Sequence, residues 1–358
     1  MAAGFFCWFF FCTFATNAQA QVWQSCGPSC DCITDIKFLN CSHRGFSNVP
    51  GDFPPDTEHL DLSGNLLTGL HKGGFRLLWN LRVLLLSDNN ITSISDGAFS
   101  PLGSLWKLDL SQNWISTLSE GFSLGLGSLR ELLLGHNQLA FLEEESFLHL
   151  DSLRKLDLSA NAIRSVRART FVYMTALRQL DLRDNWLGRL ANGVFSSLRS
   201  LEVLNLSRNR IHSVEAGVLT PLVSLALLDL SQNGLCTIRF KTFLSIRTYG
   251  THLLLRRNPW HCDCDLQRVF RKLRSVRRLS LDDYGDLSCA EPAELRGHPL
   301  SRVDAELCFA ETVTVLVITG TVVIVVLAAI VMAETSKRKP VAKQGSGENG
   351  GLEEYAEN

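Results

Sequence analysis

Nine asparagines recur along the chain at an almost fixed step: Asn65, Asn89, Asn113, Asn137, Asn161, Asn185, Asn209, Asn233 and Asn258. The first seven intervals are 24 residues and the last is 25. Most of these residues close a run Leu-x-Leu-x-x-Asn, as in Leu60-Asp61-Leu62-Ser63-Gly64-Asn65. A period of this size makes each unit one coil that cannot bury its own apolar face, so the coils must stack into a solenoid. The search for function therefore moves from an enclosed pocket to an extended binding face.

In the unit ending at Asn89, Leu81, Leu84 and Leu86 precede the Asn, and Ile91, Ile94, Phe99 and Leu102 follow it. Leu84 and Leu86 are two apart, so on a short strand they point to one side, the interior, and the residues between and beside them point out. The Asn falls where the chain leaves the strand, and a buried amide there can bond turn backbone that no sheet partner reaches. The Phe opens the return segment and stacks on its neighbours. The pattern is that of leucine-rich repeats. Two irregularities stand out: Phe122 arrives one residue early, with Gly125 and Gly127 behind it, and the last, longer interval contains Tyr249-Gly250.

Solenoid ends expose core and strand edge and need caps. Cysteines cluster at both ends, as Cys26-x3-Cys30-x-Cys32-x8-Cys41 and as Cys262-x-Cys264-x24-Cys289-x18-Cys308. An apolar stretch from Phe5 to Ala15, followed by Ala18-Gln19-Ala20, reads as an export signal over residues 1–20, though without the usual preceding Lys or Arg. Clustered cysteines in an exported chain form disulfides rather than a zinc site, despite His261-Cys262-Asp263-Cys264, so no metal or cofactor is expected. Four cysteines allow three pairings, and spacing does not choose among them. Cys7 and Cys12 leave with the signal, and Cys236 remains as a lone, partly buried thiol.

From Thr312 to Ala333 no charge occurs. A helix over these residues spans about 33 Å, enough for a bilayer core. Lys337, Arg338 and Lys339 follow, which places the C-terminus in the cytosol. The expected organisation is a signal (1–20), an N-terminal cysteine-rich cap (21–57), about eight repeats (58–257), a C-terminal cysteine-rich cap (258–311), a transmembrane helix (312–333) and a disordered tail (334–358). The chain would then be a single-pass type I protein of the plasma membrane. The formal net charge of −1 says little, because charge is segregated along the chain. Threonines 312, 314, 319 and 321 in the span could bond another helix, but Thr more often bonds its own helix backbone.

The register gives the outward columns. Between the strand leucines stand Asp61, Leu85, Asp109, Leu133, Asp157, Asp181, Asn205 and Asp229, and three positions earlier stand Glu58, Arg82, Trp106, Arg130, Arg154, Arg178, Glu202 and Ala226. An acidic ladder beside an Arg column is either a set of exposed pairs that neutralise each other or a polar docking strip. Trp106 breaks the polar pattern and is the anchor candidate. Arg82, Arg130, Arg154 and Arg178 with Asp109, Asp157 and Asp181 complete the candidate face. Trp114 and Trp186 belong on the flank, and Trp260 belongs in the core of the C-terminal cap.

A second feature is Arg268, Arg271, Lys272, Arg274, Arg277 and Arg278, with Val269, Phe270, Leu273 and Val276 as an apolar stripe beneath them. This reads as an amphipathic cap helix with a basic face, either simply solvated or open to an acidic polysaccharide, an acidic protein or lipid headgroups. Nucleic acid is not expected for an exported chain. Sequons stand at Asn40, Asn90 and Asn205, and a glycan on Asn205 would cover part of the strand face. No G-x-S-x-G, H-E-x-x-H, P-loop or dinucleotide fingerprint occurs, so an enzyme is not expected.

With its period, both cysteine clusters and the junction Asn258-Pro259-Trp260-x-Cys262-x-Cys264, the chain resembles the animal extracellular leucine-rich-repeat proteins with cysteine-rich caps, over roughly residues 26–308. The resemblance implies an α/β solenoid horseshoe with disulfides Cys26–Cys32, Cys30–Cys41, Cys262–Cys289 and Cys264–Cys308. It also implies an adhesion molecule or co-receptor that binds an extracellular or membrane protein. The layout is similar to that of calcium-activated potassium channel gamma subunits, which implies a second reading in which the span and basic cluster regulate an ion channel in cis. It is also similar to trophoblast-glycoprotein-like proteins, without the long interruption of their repeats.

Overall fold

The structure is a computed structural model that describes residues 30–303 and 307–337. The expected signal, Cys26, Arg338, Lys339 and the rest of the tail lie outside the described residues. The chain divides into two units, the first up to Asp304 and the second from Ala305.

The first unit is built on one long sheet of three- and four-residue strands. Asp31–Ile33 and Phe38–Asn40 pair antiparallel, and every later neighbour in the sheet is parallel and in register. Leu60 sits beside Leu84, Leu84 beside Leu108, and Leu132 beside Leu156. In the repeat strands the central Leu is buried and the residues on either side are half-buried or exposed, as the two-residue period dictates. The opposite wall is made of turns in most coils; Phe240–Leu244 is a short helix there. Its apolar column runs through Phe75, Phe99, Phe122, Phe147, Phe171, Phe195 and Phe243, all buried. Phe75 stacks on Phe99 at 6.1 Å, and Phe99 meets Phe122 edge to face at 5.9 Å. Phe122 thus keeps its place although it arrives early. The shortened coil closes over Gly125, whose φ of +89° and position 2.6 Å (for an added Cβ) from the Phe99 carbonyl oxygen exclude any side chain.

Each repeat Asn ties two coils together. Asn137 Nδ2 donates to the carbonyls of Leu134 in its own coil and Leu110 in the previous one, and its Oδ1 accepts from Ile115 N–H. Asn185 makes the same set with Leu182, Leu158 and Ile163. These bonds hold a costly backbone feature. The residue before each Asn from Asn89 onward is left-handed, at Asp88, Gln112, His136, Ala160, Asp184, Arg208, Gln232 and Arg257, with φ between 51° and 57°. For L-residues this region costs roughly 1–2 kcal/mol per residue, and Ala160 has no polar side chain to ease it. The Asn amides, by satisfying three or four buried backbone groups each, offset that cost. The ladder ends on a carboxylate: Asp283 Oδ2 accepts from Leu255 N–H and Arg256 N–H at 2.7 Å each. Burial pushes the Asp283 pKa above its ordinary value.

Disulfides join Cys30 to Cys41 and Cys262 to Cys289, with Cα–Cα distances of 4.6 and 5.6 Å. Cys32 and Cys264 are also disulfide-bonded. Cys236 is free, and it is exposed rather than partly buried, because it lies in the turn after the buried Leu235. Trp260 is fully buried and meets Phe270 edge to face at 5.3 Å.

The cap helix runs from Cys264 to Ser275 and buries Leu266, Gln267, Phe270 and Leu273. Asp263 caps it by accepting from Leu266 N–H at 2.7 Å. Arg277 and Arg278 therefore lie beyond the helix, in the turn before the strand Leu279–Leu281. Val276 is the extended residue that ends the helix rather than part of its apolar stripe.

In the second unit one helix covers Leu307–Lys337. Its stretch Val313–Glu334, 22 residues, is long and apolar enough to cross a membrane. Thr319 and Thr321 donate to carbonyls of their own helix, at Val315 and Leu316 and at Ile318.

Candidate binding face

On the outer face of the long sheet the two polar columns behave differently. The Asp column is tied to backbone. Asp109 Oδ1 accepts from Ser111 N–H at 2.9 Å and from the Ser111 hydroxyl at 2.6 Å. Asp157 accepts from Ser159 N–H and Asp181 from Arg183 N–H. Asp61, Asn205 and Asp229 repeat the bond with Ser63, Ser207 and Ser231. Each carboxylate closes the turn two residues on, the local side-chain bond that Asp and Asn favour. Burial raises the pKa of Asp181, and the Asp157 carboxylate on the neighbouring strand adds to the rise.

The expected neutralisation of the Arg column by the Asp ladder is not what the structure shows. The column is neutralised at its ends by glutamates of its own register: Arg82 pairs with Glu58 at 3.2 Å and Arg178 with Glu202 at 2.9 Å. A hydrogen bond from Lys37, with help from Arg82, lowers the Glu58 pKa despite partial burial. In the middle, Arg130 and Arg154 are exposed and make no ion pair among the described residues. Trp106 stands next to them in the same column, 37% exposed. Adjacent strands are about 4.8 Å apart, so these three side chains root within two strand spacings.

A further outward column was missed by counting from the leucines alone. It lies two residues before the Asp column, on the same face of each strand, and holds Val83, Lys107, Glu131, Lys155, Gln179 and Val203. Lys107 and Glu131 approach to 4.0 Å. The strand period of two would have revealed it.

Trp114 and Trp186 are exposed on the flank. Trp186 is held between Arg164 and Arg210, with guanidinium carbons 5.2 and 4.9 Å from the ring centroid. Asn90 is exposed at its turn, whereas Asn40 and Asn205 are half-buried and accept from the Ser two residues on.

Against known proteins, the leucine rich repeat sequence family matches residues 55–115, 80–139, 127–187 and 180–235, together just over half of the chain. The chain belongs to the leucine-rich-repeat family. It is 42% identical to human decorin over 64 residues, 17% of this chain and 18% of decorin. Chicken decorin matches at the same identity over 62 residues, so the chain spans under a fifth of the length of these relatives. Two solved structures share the fold. One belongs to the octameric complex of Latrophilin 3, Unc5D and the leucine-rich repeats of FLRT2, at TM-score 0.61 and 24% identity, over 79% of this chain and 99% of that one. The other is human 5T4, the trophoblast glycoprotein, at TM-score 0.59 and 27% identity, over 79% and 98%. In this family member, disulfides lie at both ends of the solenoid and one helix is long and apolar enough to cross a membrane.

Proposed function

We propose that this chain is a cell-surface adhesion molecule or co-receptor, non-enzymatic, that recognises an extracellular or membrane protein on the outer face of its sheet. The observation that supports this most is the middle of the Arg column. Trp106, Arg130 and Arg154 are exposed and unneutralised where every Asp beside them is engaged by a turn. An exposed Trp flanked by Arg has the composition of an interface anchor. One structural neighbour, FLRT2, is held in a complex with two other proteins, which fits a protein partner.

In this reading residues 1–20 are removed on export, the repeats and both caps are outside the cell, and Val313–Glu334 spans the plasma membrane with the Lys337 end in the cytosol. Asn90, exposed at a turn, carries a glycan. The channel-regulator reading depends on polar groups in the span. Thr319 and Thr321 bond their own helix, which takes two of the span's four threonines away from that reading.

The test is an exchange of residues 312–343 for an unrelated single-pass anchor, with proximity labelling on live cells. The binding reading expects the same labelled proteins from both forms. Loss of one multi-span channel from the exchanged form alone would favour regulation in cis.

A further inference from the structure

Two segments near the C-terminal end of the solenoid are chemically one-sided. Residues 239–249 contain three cations, Arg239, Lys241 and Arg247, and no Asp or Glu. Residues 266–281 contain six, Arg268, Arg271, Lys272, Arg274, Arg277 and Arg278, and again no acid. The short helix Phe240–Leu244 in the first segment packs on the cap helix in the second, so the two cationic stretches lie together. All these cations except Arg278 are exposed.

Several of the side chains are ordered without losing their charge. Lys272 Nζ lies 5.8 Å from the Phe240 ring, and the Arg274 guanidinium lies 4.4 Å from the Tyr284 ring. Arg278 donates to the Leu244 carbonyl at 2.9 Å. A ring face or a carbonyl positions a cation but leaves the field around it positive. Arg268 meets a carboxylate, that of Asp265, at 3.1 Å. On the repeats, Arg167, Arg189 and Arg208 are each paired with an acid of a neighbouring coil.

We propose that this face, formed by the cap helix, the short helix before it and the turns that follow each, binds a sulfated polysaccharide of the glycosaminoglycan class. A linear polyanion can cross both cationic stretches at once, and a dense patch of one sign concentrates such a ligand. Anionic lipid headgroups are the weaker match, because anionic lipid is concentrated in the cytoplasmic leaflet. The inference rests on the extracellular placement proposed above. It does not rest on the strand face or on the protein that binds there.

The experiment uses the full chain in detergent micelles and measures its affinity for heparin at several salt concentrations. One variant carries Lys241→Glu, Arg247→Glu and Arg277→Glu. A second carries the same charge change on the repeats, as Lys72→Glu, Arg76→Glu and Arg199→Glu. The cap variant is expected to bind heparin about tenfold more weakly or worse, since each exposed charge contact adds only a little. Its dependence on salt should be shallower, because fewer counterions are released. The repeat variant should stay within about twofold of the parent. A cap variant carrying Gln at the same three positions should fall between, and it reads the effect if the Glu form melts early. Equal losses in the cap and repeat variants would reduce the effect to net charge and overturn the proposal. So would unchanged binding by the cap variant. Equal binding to fully desulfated heparin, or tighter binding to phosphatidylserine vesicles, would also overturn it by assigning the face to another anion. Labelling of protein partners by the cap variant separates this failure from failure of the strand-face reading, because that labelling is expected to be unchanged.

Discussion

Two columns run side by side along the outer face of one sheet, and they do different work. The Asp column faces outward yet is spent on the backbone: Asp109, Asp157 and Asp181 each accept from the N–H two residues on. The Arg column three positions earlier is neutralised only where a glutamate shares its register, at Arg82 and Arg178. Between those ends Trp106, Arg130 and Arg154 are exposed. Outward position alone therefore does not make a residue part of a binding face. What matters is whether the fold already uses its polar atoms.

The comparison can be broken most severely at the polar residue that the fold uses hardest. Asn137→Ala leaves the buried Ile115 N–H without its acceptor and takes one of two amide donors from each of the Leu110 and Leu134 carbonyls, which keep Asn113 and Asn161. One unsatisfied group at ~1–3 kcal/mol and two lost bonds at ~1 kcal/mol each put the loss at about 3–4 kcal/mol, seen as a large fall in the thermal midpoint. A smaller loss follows at the end of the ladder. Asp283→Ala leaves Leu255 N–H and Arg256 N–H without their acceptor and should cost about 2 kcal/mol.

The two columns themselves should separate next. Asp109→Ala removes a turn bond and should cost about 1 kcal/mol, whereas Arg130→Ala, with no ion pair to lose, should change stability by less than ~0.5 kcal/mol. Parallel denaturant titrations read both, and equal losses would erase the distinction drawn here. The smallest effect concerns pH. Burial raises the Asp181 pKa, so the folded chain holds that proton more tightly than the unfolded one. The stability attached to it is present below the ordinary Asp range and is lost as pH rises through the raised native value. Asp181→Asn removes that loss, keeps an acceptor for Arg183 N–H, and should raise the midpoint slightly at neutral pH but not near pH 3. A midpoint lowered at neutral pH would show that the carboxylate itself is needed.

Much of this was legible in the sequence, for reasons of period. The Asn spacing fixed the number and register of the coils, and the strand leucines and the Phe column follow from it, including the early Phe122. What the period could not show is how side-chain atoms are spent. Asp109 and Arg130 both read as outward polar residues, and only the Ser two residues after Asp109, as after Asp61, Asp157 and Asp229, signals the turn bond. The basic run from Arg268 to Arg278 read as one helix face. The helix stops at Ser275, where Val276 turns extended, and residues from Phe240 onward, distant in sequence, complete the surface. The exposure of Cys236 was missed because a free thiol is usually buried, and the turn after Leu235 overrides that tendency.

The most direct measurement compares two full-length variants on live cells by proximity labelling. One carries Trp106→Ala, Arg130→Glu and Arg154→Glu, and the other carries Asp109→Asn and Asp157→Asn, which keep the turn acceptors. The first, although normally folded and displayed, should lose the labelled partners about tenfold or more, while the second keeps them. Partners retained by the first variant and lost by the second would place recognition on the acidic column and contradict the assignment of the binding face.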